Sequence, residues 1–163
     1  MGDPKKPKKK YVTPKRPWDA DRLQREIYLI GTYGLRNKRE LWRAETLLSK
    51  IRAQARRLLA APPDVRSRQE SALLSRLVRL GLLKEGATLD DVLSLKVEDI
   101  LERRLQTIVW RKNLAKTIHQ ARQMIVHGHV TIRGRVVDRP SYMVSKEEEQ
   151  FVQLRVAPSK VSV

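Results

Sequence analysis

The sequence predicts an α+β chain: a mostly helical N-terminal lobe over residues 18–100, then a small αα-plus-β-hairpin unit with a C-terminal strand over 101–163, with a basic extended arm over 1–17 in front. Three observations carry that division. Apolar residues recur at spacings of three and four through most of the chain, the period of a one-sided helix. A β-branched run interrupted by Arg133-Gly134 follows near the end, where the period drops to two. Prolines alternate with lysines over the first seventeen residues, a composition that neither forms a helix nor buries a core.

Charge sets the class of partner. The chain has 163 residues, 40% of them hydrophobic, with a formal net charge of +17. That length suits one ordinary core or two small lobes, and excludes a large multidomain enzyme. So strong a self-repulsion implies a polyanionic partner, either nucleic acid or an acidic membrane surface. Basic residues interrupt every apolar stretch before it reaches the roughly 20 residues of a membrane span, and the basic N-terminus is not followed by a signal-like apolar segment. A cytoplasmic setting without a membrane partner is expected. Cysteine is absent, which removes disulfides, thiolate chemistry and sulfur-ligated zinc.

The excess charge is uneven. Residues 1–17 hold seven bases and one acid; residues 18–102 hold sixteen and thirteen, the balance of a solvated helical surface. Residues 103–144 hold nine bases against Asp138 alone, and residues 145–163 are neutral. The arm and the third segment are therefore the polyanion-facing parts. The arm, with Lys8, Lys9, Lys10 and Arg16 as its candidate contacts, is expected to be extended and ordered only when bound, the plain alternative being a solubilising tail.

Helical elements follow in order. From Asp19, Leu23, Ile27 and Ile30 share a face, with Gly31 and Gly34 where a helix would stop. Asn37, three before Glu40, caps a second helix whose Leu41, Ala44, Leu48, Ile51, Ala55 and Leu58 predict a run to about Ala60, before Pro62 and Pro63. Its other face carries Arg39, Arg43, Lys50, Arg52, Arg56 and Arg57, which reads equally as a solvated surface or as an RNA contact. A third helix spans Val65 to Leu80 with Leu73 and Leu77 in register and Gly81 as its stop. Thr88 with Asp91 caps a short helix, and a further turn passes through Val97, Ile100 and Leu101.

In the third segment, Leu101, Leu105 and Ile108 mark a helix with Arg104 and Arg111 off its apolar stripe. Thr117 and Gln120 form a capping box for a second helix burying Ala121 and Ile125 and ending at Gly128. Val130 and Ile132, then Arg133-Gly134, then Val136 and Val137 read as a hairpin with Gly134 at positive φ. Two helices and a hairpin would bring their cations to one edge. Phosphate oxygens suit that edge, because arginine donates as a planar fork and each contact releases counterions.

Residues from about Leu101 to Val144 resemble the small RNA-binding module named after ribosomal small-subunit protein four. Its pattern of Arg-Leu, Ala-Arg, His-Gly, a β-branched strand and an Asn-Gly turn is met here by Arg104-Leu105, Ala121-Arg122, His127-Gly128, Val130 to Ile132 and Arg133-Gly134, followed by Pro140-Ser141-Tyr142. Tyr33 to Trp42 and Leu95 to Glu102 are similar to the archaeal and eukaryotic branch of the universal uS-four family, so the resemblance covers nearly the whole chain. It departs at Gln106, where an Asp is common, at Asn113, where a Gly is frequent, and at Ile118, where an Arg often supplies a contact that is not carried over. Asn113 tolerates the left-handed backbone that a Gly there would take.

What the resemblance implies is a non-catalytic component of the small ribosomal subunit. It binds small-subunit ribosomal RNA at a multi-helix junction and touches neighbouring small-subunit ribosomal proteins; messenger RNA near its entry path is left open as a further partner. No cofactor, metal or small-molecule substrate is implied. The site residues are Arg104, Arg111, Lys112, Lys116, Arg122, Gln123, His127, Arg133, Arg135 and Arg139, with Thr117 and Gln120 chiefly as caps. Replacing Arg122 or Arg133 with Ala is expected to weaken RNA binding and flatten its salt dependence. The alternative is an RNA-modifying enzyme of the pseudouridine synthase kind, which carries the same module but needs a further catalytic domain with a placed Asp. A DNA-binding helix-turn-helix protein is the second rival.

Other features read blandly. His119, His127 and His129 straddle a helix-to-hairpin junction at spacings unsuited to a four-ligand metal site. Trp18, Trp42 and Trp110 are expected to pack rather than to stack on bases. Glu147, Glu148 and Glu149 read as a solvated turn before a strand over Phe151 to Val156.

Overall fold

A computed structural model describes residues 9–155. Eight helices and a three-stranded sheet are formed among them, around two apolar clusters that part between Leu101 and Leu105.

The lobe is built on α1 (Ala20–Thr32), α2 (Lys38–Leu59) and α3 (Pro63–Arg79), closed by the short helices α4 (Leu89–Ser94) and α5 (Val97–Glu102). All six residues expected on the inner face of α2 are buried. Three of these starts are set by sequence: the Asn37 side chain accepts from Glu40 N–H, Pro63 occupies the first turn of α3, and Asp91 accepts from the Thr88 N–H at 2.8 Å.

The first helix differs from expectation. Ile27 is 64% exposed, and Glu26 and Leu29 are the buried residues instead. The carboxylate survives burial because Trp42 Nε1, Arg22 Nε and Lys38 Nζ donate to it at 3.0, 3.0 and 3.2 Å. Burial pushes the Glu26 carboxyl up, but those donors outweigh it and hold it below its ordinary value. The helix also runs through Gly31; Gly34, at φ +57°, makes the stop. A Cβ there would sit 2.8 Å from both Gln106 Nε2 and Ile118 Cγ2, so the position needs glycine for space as well as for conformation.

The single helix expected through Leu101, Leu105 and Ile108 is two. The chain breaks at Arg103 and Arg104, so that Leu101 closes the lobe core on α5 and α6 (Leu105–Arg111) opens the next. Asn113 does take the left-handed conformation, at φ +56°. α7 (Ile118–Val126) packs on α6, and its cap Thr117 accepts from Gln120 N–H at 3.1 Å. Gln120 Oε1 reaches back to the Lys116 N–H at 2.8 Å, one residue earlier than a regular capping box.

The hairpin of β1 (Val130–Ile132) and β2 (Arg135–Val136) turns at Arg133 and Gly134, with φ of +49° and +76°. Both central residues are left-handed, the requirement of a type I′ turn, and the arginine stands where Asn is the easy choice. β3 (Val152–Leu154) adds antiparallel to the other edge of β1, giving the order β2-β1-β3. Glu147 to Glu149 are not a plain turn: α8 (Lys146–Glu149) is helical, with Ser145 and Glu148 capping each other at 3.2 and 3.1 Å. The segment between hairpin and α8 returns to the α5–α6 break, where Leu105 N–H donates to Tyr142 and Val144 N–H to Arg103.

No helix among the described residues is long and apolar enough to cross a membrane, and no group of three or more carboxylates and histidines among them is placed to hold a metal ion. Trp42 and Trp110 pack as expected. Trp18 does not; it is 77% exposed.

Candidate nucleic-acid interface

The nine cations of residues 103–144 divide into those that face the protein and those that face solvent. Arg104 belongs to the first group, contrary to expectation: it is buried, and its Nη2 lies 2.7 Å from Glu40 Oε2. Arg122 is half-buried and directs both terminal nitrogens inward, Nη2 to Glu40 Oε1 at 2.7 Å and Nη1 to Gln106 Oε1 at 3.1 Å. Glu40, on the first turn of α2, therefore binds two guanidiniums of the module at once. Burial alone would push its carboxyl up, but Arg122 and Arg104 outweigh that and hold it below the usual range.

Gln106 completes this seam. It is fully buried, and its Nε2 donates to the carbonyls of Gly34 at 2.9 Å and Ile118 at 3.1 Å. One side chain thus ties the loop before α2 to the first turn of α7 while accepting from Arg122. A second seam runs through Glu102, which receives Tyr33 Oη at 3.1 Å and Arg111 Nη2 at 2.8 Å. Burial and the Glu102 charge push the Tyr33 phenol up to about 12. Arg111 is exposed and lies over the Trp110 ring, but both Nε and Nη2 are on Glu102. Lys112 donates to the Glu149 carbonyl, and Arg103, which was not expected to matter, clamps Glu149 at 2.7 Å and the Val144 carbonyl at 2.9 Å.

The remaining expected residues are exposed. Lys116, Thr117 and Gln120 stand at the start of α7, and Gln120, Gln123 and His127 recur along one side of it at spacings of three and four. Thr117 and Gln120 serve as caps. Arg133 and Arg135 flank the hairpin turn. Arg133 meets Glu147 only at 3.6 Å and lies 5.1 Å over the Phe151 ring, while Lys116 and Arg135 pair with no carboxylate among the described residues. Arg139 touches only its neighbour Asp138, at 4.0 Å, with both side chains largely in solvent. In the arm, Lys9, Lys10 and Arg16 are exposed; Lys8 lies outside the described residues. Ile118, at the position where an Arg would be a contact, is buried against Gly34.

The inward arginines were hidden from sequence reading because Glu40 sits more than sixty residues away. The one available signal was an acid at the third helical position of an arginine-rich helix, which the cap of Asn37 explained without it.

Comparison with known proteins follows the same division. Residues 5–102 match the family model described as "Ribosomal protein S4/S9 N-terminal domain", and residues 103–149 match "S4 domain". The chain belongs to the ribosomal protein S4 family. Similar members of that family include proteins named "Small ribosomal subunit protein uS4" from Hyperthermus butylicus, 61% identical over 93% of this chain and 86% of the relative. Those from Ignicoccus hospitalis and Sulfurisphaera tokodaii are each 56% identical over 93% of this chain, covering 92% and 86% of the relatives. The S4 match begins at Arg103, at the break between α5 and α6.

Proposed function

We propose that the chain is a structural, non-catalytic component of the small ribosomal subunit, working in the cytoplasm, that binds small-subunit ribosomal RNA directly and supports subunit assembly and translation. What carries this reading is the succession of the two matched stretches over residues 5–149, in a chain like relatives named as a small-subunit protein. The RNA-modifying alternative is set aside on the same ground. Neighbouring small-subunit proteins are the remaining partners.

The chemistry of the module's open surface fits the reading. Lys116, Arg133 and Arg135 are exposed cations on the cap of α7 and the hairpin tip, and Gln123 and His127 add exposed hydrogen-bonding side chains on α7 and its C-cap. These cations and hydrogen-bonding side chains suit phosphate and ribose oxygens, contacts that recognise the shape of a multi-helix junction more than its base sequence. Messenger RNA near its entry path is a second polyanion that the same cations would accept.

Sedimentation of the native protein with small subunits is the expected result, together with salt-dependent binding to small-subunit ribosomal RNA. Changing Lys116, Arg133 and Arg135 together to Gln should lower the slope of log affinity against log salt by about 2–3. Absence from small subunits, or displacement of the RNA by equal duplex DNA at the same salt, would refute the assignment.

A further inference from the structure

Helix α1 turns an apolar face outward. The large apolar side chains most exposed among the described residues are Trp18, Val12, Tyr28 and Ile27, at 64–77%, and three of these stand on α1 or directly before its N-cap. At 3.6 residues per turn, Ala20, Gln24, Ile27 and Gly31 fall within about 60° of one another over about 17 Å, with Tyr28 beside them. All five are exposed and none is charged. Trp18 occupies the position from which an apolar side chain often folds back onto the fourth helical residue, here Leu23, yet it is left in solvent. Gly31 is equally unexplained from within: glycine weakens a helix, and a Cβ there would meet nothing within 4 Å.

The arm is laid on the lobe rather than hanging free of it, a correction to the expectation that it orders only on binding. Tyr11 packs on Trp42 with ring centroids 5.9 Å apart, the Val12 N–H donates to Thr46 Oγ1 at 3.0 Å, and Lys9 lies 4.8 Å over the Tyr11 ring. Trp42 in turn donates to the buried Glu26, which lies about 150° round α1 from Gln24 and Gly31. Lys9 to Val12 are thereby fastened on the far side of that helix and leave its outer face open. Charge then selects what fits there. α1 has two acids and two arginines, so it is neutral in a chain of +17. Both arginines are engaged, Arg22 with Glu26 and Glu45, Arg25 with Glu98. Asp21 stands exposed on the Tyr28 side of the face with no cation partner among the described residues, and the partly exposed Glu98 lies beyond Arg25 on that same flank. A phosphate backbone finds no counter-charge on this face and meets carboxylates beside it.

We propose that the outer face of α1, with Trp18, docks another protein of the small subunit, and that it takes a segment presenting apolar side chains flanked by lysine or arginine. The inference deepens the reading of the chain as a small-subunit component and rests on it. Apolar area left in water at Trp18, Ile27 and Tyr28 is recovered only when something apolar covers it. Tryptophan and tyrosine are the residue types that most often anchor such contacts. A cation on the incoming segment complements Asp21 and Glu98, which the rest of this chain, with its excess of positive charge, leaves partly in solvent. Gly31 lets the partner approach the helix backbone closely.

The test places a benzophenone amino acid at Ile27 of the full chain, which is then assembled into small subunits with ribosomal RNA and the remaining small-subunit proteins. Irradiation should join that position to a peptide of one neighbouring protein, with lysine or arginine beside apolar residues in it. A companion variant carries Trp18→Gln, Ile27→Gln and Tyr28→Gln together, exchanges that keep helix propensity at exposed positions. Its affinity for small-subunit ribosomal RNA and the salt slope should be unchanged, because no cation is removed. Exchange of the cross-linked neighbour against its labelled free form should quicken about tenfold in subunits holding this variant. Asp21→Lys should quicken it in the same direction. A cross-link to RNA, no cross-link, an exchange rate that stays the same in the triple variant, or a fall in its RNA affinity would each overturn the proposal. Failure of the unchanged protein to enter small subunits would instead remove the functional reading beneath it.

Discussion

Glu40→Gln separates the structural arginines from the RNA-facing ones. In the protein the carboxylate takes Arg104 and Arg122 at 2.7 Å each, with side-chain exposures of 12%, 7% and 22% for the three partners. Removing one partner of a buried ion pair costs about 3–5 kcal/mol, because the other charge is left without compensation. Gln keeps an acceptor oxygen and Arg122 keeps Gln106, so the low end, about 3 kcal/mol, is expected; for a chain of this size that is a loss of about 6–12 °C in Tm. Circular dichroism melts and urea titrations measure it, with Glu147→Gln, whose carboxylate is 71% exposed, as the control. The pH dependence has a definite sign. Arg122 and Arg104 hold the folded carboxyl of Glu40 below its unfolded value, so its contribution is present above the unfolded pKa of about 4.3 and fades as pH falls through the lower folded value. The wild-type advantage over Glu40→Gln should shrink on acidification accordingly. Arg122→Ala belongs to the same experiment: it should destabilise the protein yet leave the salt slope of RNA binding unchanged once binding is measured well below Tm. A Glu40→Gln protein as stable as the control, or a slope that falls in Arg122→Ala, would refute the assignment of these groups to the fold.

Two more outcomes follow from the backbone. Gly34→Ala should destabilise by about 2–4 kcal/mol in a urea titration, combining a left-handed Cβ with an overpacked contact on Gln106 and Ile118; a change under about 0.5 kcal/mol would mean the seam can open freely. Arg133→Asn places a residue that tolerates the left-handed turn better, so thermal stability should hold or rise slightly while the salt slope of RNA binding falls by about 0.7–0.9.

Local chemistry made much of the fold legible. The cap at Asn37, the six-residue inner face of α2, the Gly128 stop and the Arg133-Gly134 turn all depend on neighbours within a few positions, and each forms as the sequence indicates. The failures share a cause. Ile27 fits a helical stripe, but Trp42, Arg22 and Lys38 together make burial of the adjacent Glu26 the better packing, and no local pattern records three donors from two helices. Arg104 and Arg122 match a motif that suggests an RNA contact; what they meet in the structure is an acid on α2, in the other lobe, which no local pattern shows. The break at Arg103 was hidden because Leu101, Leu105 and Ile108 keep one period across two helices. For the open surface, exposure of Lys116, Gln123, His127, Arg133 and Arg135 agrees with the sequence reading, and their contact with RNA stands as the proposal to be measured.

Gln106 has a consequence for exchange between relatives. Its amide gives two hydrogens, to the carbonyls of Gly34 and Ile118, while its oxygen receives one from Arg122. A carboxylate at that position could only accept, so both carbonyls would lose the hydrogen they take from Gln106, Gly34 keeping only the 3.5 Å contact of Arg122 Nη1, and a second anion would sit beside Glu40. A module transplanted from a homologue with aspartate there would therefore arrive with the wrong polarity for this lobe, and a hybrid would need its loop at Gly34 re-cut before the halves could lock.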